Sequence, residues 1–448
     1  MAALVIAAAA SFSPTAALAA TVALAAIIAV VARPAIFPLI LVASIFLELV
    51  RIEGTTISRV LAPIALVVVL VQLIRVPASI RLAPPLYWVG AYTLWALASG
   101  LWTTSVAGTV FMLSSLAIAL VYMLSFASLL QTTRDLERVV WVFTVMSLLF
   151  GALSLRFVSE GFAFDQGRAQ GGVGDPNTFA ATQLVALPLA IALAAHVQKR
   201  WLQLGLYVTV ALIIGSILTS LSRGGFLGLA VLLILLAFVP FRFIFRTRRN
   251  KAVILLVVAF ALAGMSAVYS SELTERVQAT FGETNPAARS GSGRLYLWQA
   301  AKLSIQDHPW LGIGYGGFRP ASNELLLNTP GVDLGGYPLK EGGQPAHSSY
   351  IGSFAELGVV GFVLYVGLLI STGRTLRRAA IQARKAGAFF AGNVAGALLL
   401  VLVTWAVISA FLSTETGRAF WIIVGMTLAL PRLISSESAS KESQSVSA

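Results

Sequence analysis

The chain alternates between long apolar runs and short polar breaks. The apolar runs fall at 17–32, 35–50, 60–74, 86–100, 107–130, 139–157, 178–195, 202–218, 224–240, 252–270, 348–372, 390–411 and 418–434. A helix needs ~20 such residues to cross ~30 Å of hydrocarbon, and several runs are shorter. None shows the strict alternation of a lipid-facing β-strand. The pattern therefore predicts an all-α, polytopic integral membrane protein with about 12–14 transmembrane helices, the range coming from the segment before residue 60. The opening MAALVIAAAASFSPTAALAA has no basic n-region and runs straight on into apolar sequence. It reads as a short first span or interfacial segment, with a cleaved signal as the alternative.

The polar breaks set an orientation. Basic residues cluster at Arg75–Arg81, Arg134–Arg138 and Lys199–Arg200. They cluster again at 241–251 (Arg242, Arg246, Arg248, Arg249, Lys251) and at 374–385 (Arg374, Arg377, Arg378, Arg384, Lys385). Span parity puts all five on one side, which the positive-inside rule makes cytoplasmic. The expected division is a membrane bundle over 1–270, a long extracytoplasmic loop over 271–347, C-terminal transmembrane helices over 348–434 and a polar, disordered cytoplasmic tail over 435–448. Within the loop, RLYLWQAAKLSIQD at 294–307 places Leu295, Trp298, Ala301 and Ile305 at helical spacing. It predicts an amphipathic helix near the membrane face, ended by His308–Pro309 and followed by a flexible GIGYGG turn at 312–317.

Composition sharpens this. Of 448 residues, 58% are hydrophobic and 11% charged, against ~25% charged in soluble proteins. Mean hydropathy is +0.87. The net charge of +13 is spread through the loops and does not indicate nucleic acid. With no cysteine and three histidines, disulfide frameworks, thiolate metal sites and thiol catalysis are excluded, and a histidine-rich metal site has little to draw on. A Walker A sequence and an HExxH motif are both missing, so ATP-driven transport and metallopeptidase chemistry lack support.

Ionisable residues near hydrocarbon are the candidates for chemistry. Arg223 lies in SLSRGG, where a charge must snorkel, pair or face a cavity. Ser222, Gly224 and Gly225 let a backbone or ligand approach closely, and an arginine fork suits a phosphate, although an interfacial anchor explains Arg223 equally well. Arg294 opens the loop helix, where amide groups favour an anion. Arg289 and Arg319 are supporting candidates, and ordinary solvated charge is the alternative for all three. His347, just before a span, can accept a proton near neutral pH, or simply hydrogen-bond at the interface. Glu356 follows nine residues later, ~13 Å along a helix at ~1.5 Å per residue, and is expected to pair with an arginine from another span. Glu415 and Arg418 are spaced for a local ion pair. Asp175, ahead of Pro176, is spaced as a helix start, and like Arg289, Arg319 and Glu356 it is also a supporting site candidate, because its loop faces the same compartment as His347.

The order of these pieces carries a resemblance. SRGG at 222–225, GRLYLWQAAKLSIQDHPWLGIGYGGF at 293–318 and HSSYIGSFAELGVVG at 347–361 resemble the O-antigen ligase/polymerase superfamily, most clearly over about 170–370. The resemblance implies a membrane glycosyltransferase of the bacterial cytoplasmic (inner) membrane with its active site facing the periplasm. It implies an undecaprenyl-diphosphate-linked glycan as donor and, in ligases, lipid A–core as acceptor. It assigns Arg223 and Arg294 to the diphosphate and His347 to activation of the acceptor hydroxyl, with no cofactor or metal. Ser348 stands where the family usually has Asn, a departure that points away from the best-known ligases.

Three alternatives stay open. A polymerase of O-antigen or exopolysaccharide would pass the glycan to a second lipid-linked repeat unit by the same chemistry. A transporter or flippase would use the intramembrane charge at Arg223 and Glu356. A non-catalytic assembly component would tolerate single loss of Arg223, Arg294 or His347.

Overall fold

Helix starts at one end of the molecule are fixed by side-chain caps. Ser105, Asp175, Ser222 and Ser348 each accept the amide N–H three residues on, from Gly108, Thr178, Gly225 and Ile351, at 3.2, 2.7, 3.1 and 3.3 Å. Each cap satisfies a donor that the first helical turn would otherwise leave without a partner. The computed structural model describes residues 33–446 apart from 53, 81, 160–167, 241–242, 246, 269–292, 331–333 and 335–338.

The elements run as follows. A 3-10 turn, Pro34–Ile36, leads into α1 (Phe37–Ile45), then a short antiparallel pair, β1 (Arg51–Ile52) and β2 (Thr55–Thr56), with Arg51 opposite Thr56. Helices α2 (Ile57–Arg75), α3 (Pro84–Ala98), α4 (Val106–Leu129), α5 (Thr133–Ser159), α6 (Pro176–His196), α7 (Arg200–Thr219), α8 (Arg223–Phe238) and α9 (Arg248–Val268) follow. Two shorter helices, α10 (Arg294–Asp307) and α11 (Phe318–Asn328), precede α12 (Ser349–Lys385), α13 (Phe389–Ile408) and α14 (Arg418–Val446). Among the described residues, 8 helices are long and apolar enough to cross a membrane, in α2, α4, α5, α6, α7, α12, α13 and α14. Every apolar run expected from residue 35 onward overlaps a helix, and the run at 17–32 lies outside the described residues. The chain is an almost entirely helical, polytopic membrane protein.

α6 is the hub. It is apolar all round, and every residue from Phe179 to Ala195 is buried. A helix without a polar face must be enclosed on all sides, and α5, α7, α8 and α13 enclose it. Its partner α8 approaches closely because Gly225 faces Ala180, where an added Cβ would come within 2.8 Å of the alanine methyl.

The two ends of the bundle differ. One end gathers the links before α2, α4, α6, α8, α12 and α14, together with α10 and α11. The other carries the basic clusters. There Lys251 Nζ donates to the carbonyls of Ala237 and Val239, both at 2.7 Å, closing the C-terminus of α8. Arg432 donates likewise to Ala127, Leu130 and Ser79.

Three expectations change. The GIGYGG segment is a buried plug rather than a flexible turn. Ile313 N–H donates to Ala355 O (3.1 Å), Gly314 N–H to Glu356 O (2.9 Å) and Tyr315 N–H to Ser99 Oγ (3.0 Å), while Thr104 N–H donates to Ile313 O (2.9 Å). The plug docks where α12 breaks: Gly358 has φ 66° and ψ −170°, and Trp310 O occupies the space a Cβ would need. The helix at 294–307 forms as expected, yet its buried face is Leu297, Ala300, Ala301 and Ser304, while Leu295 is 52% exposed. That face packs on Ile313, Phe318, Leu326, Ala346 and Ala355, so the protein itself supplies its apolar partner. The tail after Ser435 continues α14 to Val446, passing Glu437, which accepts from Thr133 Oγ1 at 3.3 Å.

Candidate functional site

Three of the site candidates stand at helix starts, Arg223 and Arg294 just after a left-handed backbone residue and His347 itself left-handed. Leu221 (φ 49°) precedes Ser222 and Arg223, Gly293 (φ 66°) precedes Arg294, and His347 (φ 50°) precedes the cap Ser348. Leucine and histidine rarely adopt this region, so the surrounding bonds must hold them there. Around His347 those bonds are visible. Trp298 Nε1 donates to Ala346 O at 2.9 Å, and Ser349 N–H donates to Ser409 O at 2.8 Å. The residues on both sides of the histidine are thus tied down.

A narrow cleft joins the starts of α6, α8 and α10. Ser222, Gly224 and Gly225 line it from α8, Asn177 from α6, Arg294 from α10, and Phe411 and Leu412 from the link after α13. Arg223 sits between two lining residues and is half-buried. Gly224 and Gly225 divide the work of smallness. Gly225 meets Ala180, whereas Gly224 has no neighbour closer than 3.9 Å and leaves the cleft wall open.

Asn177 ties the wall together. Its Oδ1 accepts from Ser222 Oγ at 2.8 Å and from the Arg168 guanidinium at 3.4 Å. Arg168 also donates through Nε to Ser220 O at 3.0 Å. Arg168 is the residue that sequence reasoning missed. It lies in the polar stretch DQGRAQGG, with no helical period to place it, and only the fold brings it to α8.

His347 lies in the electrostatic reach of Arg294, Lys340 and Asp175. Burial pushes its imidazole down to about 4, Arg294 and Lys340 push the same way, and Asp175 opposes them. The ring is therefore neutral near pH 7 and has a free lone pair.

The remaining candidates sort differently. Asp175 caps α6 through Thr178 N–H and Oγ1, both at 2.7 Å. Arg319 is exposed on α11 and does not line the cleft. Arg289 lies outside the described residues. Glu356 does not pair with an arginine. Its carboxylate accepts the backbone N–H of Gly316 at 2.8 Å and of Phe318 at 3.3 Å. The plug reaches it first because α12 kinks two residues later, at Gly358. Arg418 likewise pairs across the bundle with Glu48, at 2.8 Å, rather than with Glu415. Among the described residues, no group of three or more His, Cys, Asp or Glu is placed to hold a metal.

Residues 207–366 match the O-antigen ligase family. The matched segment is therefore similar to O-antigen ligase domains, and it contains Arg223, Arg294, His347 and Glu356. Arg168 and Asp175 fall ahead of it. An uncharacterized protein of Haemophilus influenzae is 24% identical over 202 residues, which cover 43% of this chain and 48% of that relative. The chain thus spans about half the length of the relative it matches.

Proposed function

We propose that this protein is an O-antigen ligase-like membrane glycosyltransferase. It moves a glycan from undecaprenyl diphosphate to a hydroxyl acceptor such as lipid A–core, at the periplasmic face of the inner membrane. The observation that carries this reading is that Arg294 shares one cleft with the Ser222–Gly225 shoulder of α8, with His347 in Arg294's field.

The chemistry follows from those groups. The diphosphate is already a good leaving group, so no nucleotide is consumed. Arg223 and Arg294 offset the charge that grows on its oxygen as the anomeric C–O bond breaks. Arg168, tethered to Asn177, adds a third cation to the same wall. Neutral His347 takes the proton of the acceptor hydroxyl as that oxygen attacks the far face of the sugar carbon, giving inversion. The membrane confines the donor to two dimensions and supplies proximity.

The same reading assigns 12–14 crossings to the whole chain, with 1–270 and 348–434 as membrane bundle, 271–347 as the periplasmic loop and 435–448 as a cytoplasmic tail. Basic side chains at the end of the bundle away from His347 support that orientation.

The test is transfer in detergent. Purified protein is mixed with undecaprenyl-diphosphate glycan and rough lipopolysaccharide, without nucleotide or metal, beside His347→Ala and Arg294→Ala. Products are read by gel and mass spectrometry. Glycan on lipid A–core, absent from both variants, is the expected result. Longer lipid-linked chains would instead assign a polymerase. If neither product forms and reconstituted vesicles move a solute, the enzyme reading is overturned.

A further inference from the structure

A second concavity, about 490 Å³, opens between α3 and α12. Its lining includes Trp88, Phe362, Val366, Ile370, Arg374 and Arg378. The five α12 residues recur every four positions, so they form one row along the helix. The first three are apolar and the last two basic. The row is ~24 Å long at ~1.5 Å per residue, longer than the ~15 Å that one leaflet contributes to a ~30 Å hydrocarbon core.

The groove is built for something elongated. Trp88 forms its far wall, with the indole pressed so close to Gly367 that a Cβ there would come within 2.1 Å of the ring. Ile370 is 48% exposed, and Arg374 and Arg378 are exposed, so the groove opens to the surroundings of the bundle. Ser371 lines it as well. That residue is only 6% exposed, and its hydroxyl has no hydrogen-bond partner among the described residues. Buried hydroxyls are ordinarily partnered. The basic end lies toward the C-terminus of α12, whereas His347 precedes its start, so the groove and the cleft occupy opposite ends of this helix.

We propose that the groove binds one anionic glycerophospholipid. Its phosphate sits between Arg374 and Arg378, its glycerol ester lies near Ser371, and one acyl chain runs along Ile370, Val366 and Phe362 against Trp88. Charge selects an anionic headgroup, and the length of the apolar row selects an acyl chain over a free phosphate. This site does not depend on the glycosyl-transfer reading.

The full-length protein in detergent is titrated with phosphatidylglycerol or phosphatidylcholine and examined by native mass spectrometry. One phosphatidylglycerol is expected to be retained in preference to phosphatidylcholine. The Arg374→Gln/Arg378→Gln variant should weaken that binding about tenfold or more. Ile370→Trp, which fills the apolar half and leaves both arginines, should also abolish it. Acyl-brominated phosphatidylglycerol should quench tryptophan fluorescence more in the native protein than in Trp88→Phe. Equal retention of the two lipids, a preference that survives the double variant, or quenching unchanged in Trp88→Phe would overturn the proposal. So would displacement of the bound lipid by undecaprenyl phosphate at equal concentration, which would assign the groove to a polyprenyl chain.

Discussion

Glu356 accepts the backbone N–H of Gly316 at 2.8 Å, across 40 positions of sequence. A second carboxylate oxygen takes Phe318 N–H, so one side chain holds the end of the plug and the start of α11. Glu356→Gln keeps the volume but turns one acceptor into a donor facing another donor. We expect a loss of about 1–3 kcal/mol, the usual cost of leaving a buried amide without a partner. Glu356→Ala should cost more, because it also opens a cavity. Thermal unfolding in detergent reads both, and an unchanged midpoint in both variants would show that the plug is held by its other backbone bonds alone.

The arginines separate by position. Arg294 lines the cleft, Arg223 stands between two lining residues, and Arg319 is exposed outside it. Arg294→Ala and Arg223→Ala are each expected to lower kcat about 100-fold or more, as removal of a group that stabilises developing charge does. Arg319→Ala should leave turnover within about twofold. Asn177→Ala removes one of the bonds that hold Arg168 and one partner of Ser222 Oγ, and should raise KM for the lipid-linked donor more than it lowers kcat. Equal losses at Arg294 and Arg319 would mean that the cleft is not where the diphosphate binds.

Periodicity made the helices legible, because hydrocarbon imposes length and apolarity on every span. It also located α10, whose limits match the spacing, and His308 as its end. What it did not reveal depends on contacts between distant segments. Leu295 and Leu297 are both apolar, and only the packing of Ile313 and Phe318 decides which of them faces inward. Glycine runs usually mark loose turns, yet Gly314 and Gly316 (φ 93° and 81°) serve a tightly bonded plug. Arg168 sits in a stretch without period, and Glu356 and Arg418 drew partners that were not the nearest in sequence.

Glu48 and Arg418 offer a test of that last point. They meet at 2.8 Å with side chains 13% and 24% exposed, while Glu415 lies only three residues from Arg418. A double-mutant cycle on Glu48→Gln and Arg418→Gln should give a coupling of about 1–2 kcal/mol, since a partly buried pair leaves a costly charge when one partner goes. The same cycle with Glu415→Gln should give less than about 0.5 kcal/mol. The reverse ranking would restore the local pair.

His347 carries a pH signature with a definite sign. Its folded value is held down to about 4, first by burial and then by Arg294 and Lys340. In the unfolded chain it returns to ~6.5. Between those values the unfolded state takes up the proton and the folded state does not. Stability is therefore full above ~6.5 and falls as pH drops toward 4, by up to ~3 kcal/mol. His347→Asn should flatten that window in unfolding experiments at pH 7 and pH 4.5. Ligand binding should act in the opposite direction. A diphosphate beside Arg294 would cancel part of the positive field, so the imidazole should titrate higher in the complex than in the free protein. The chain has three histidines, which makes the titration of each resolvable by isotope-edited NMR. Arg294→Ala should raise the free value only partway toward 6.5, because burial is the larger cause. A full return would make Arg294 the dominant influence, and no change would separate the two residues that the proposed mechanism needs together.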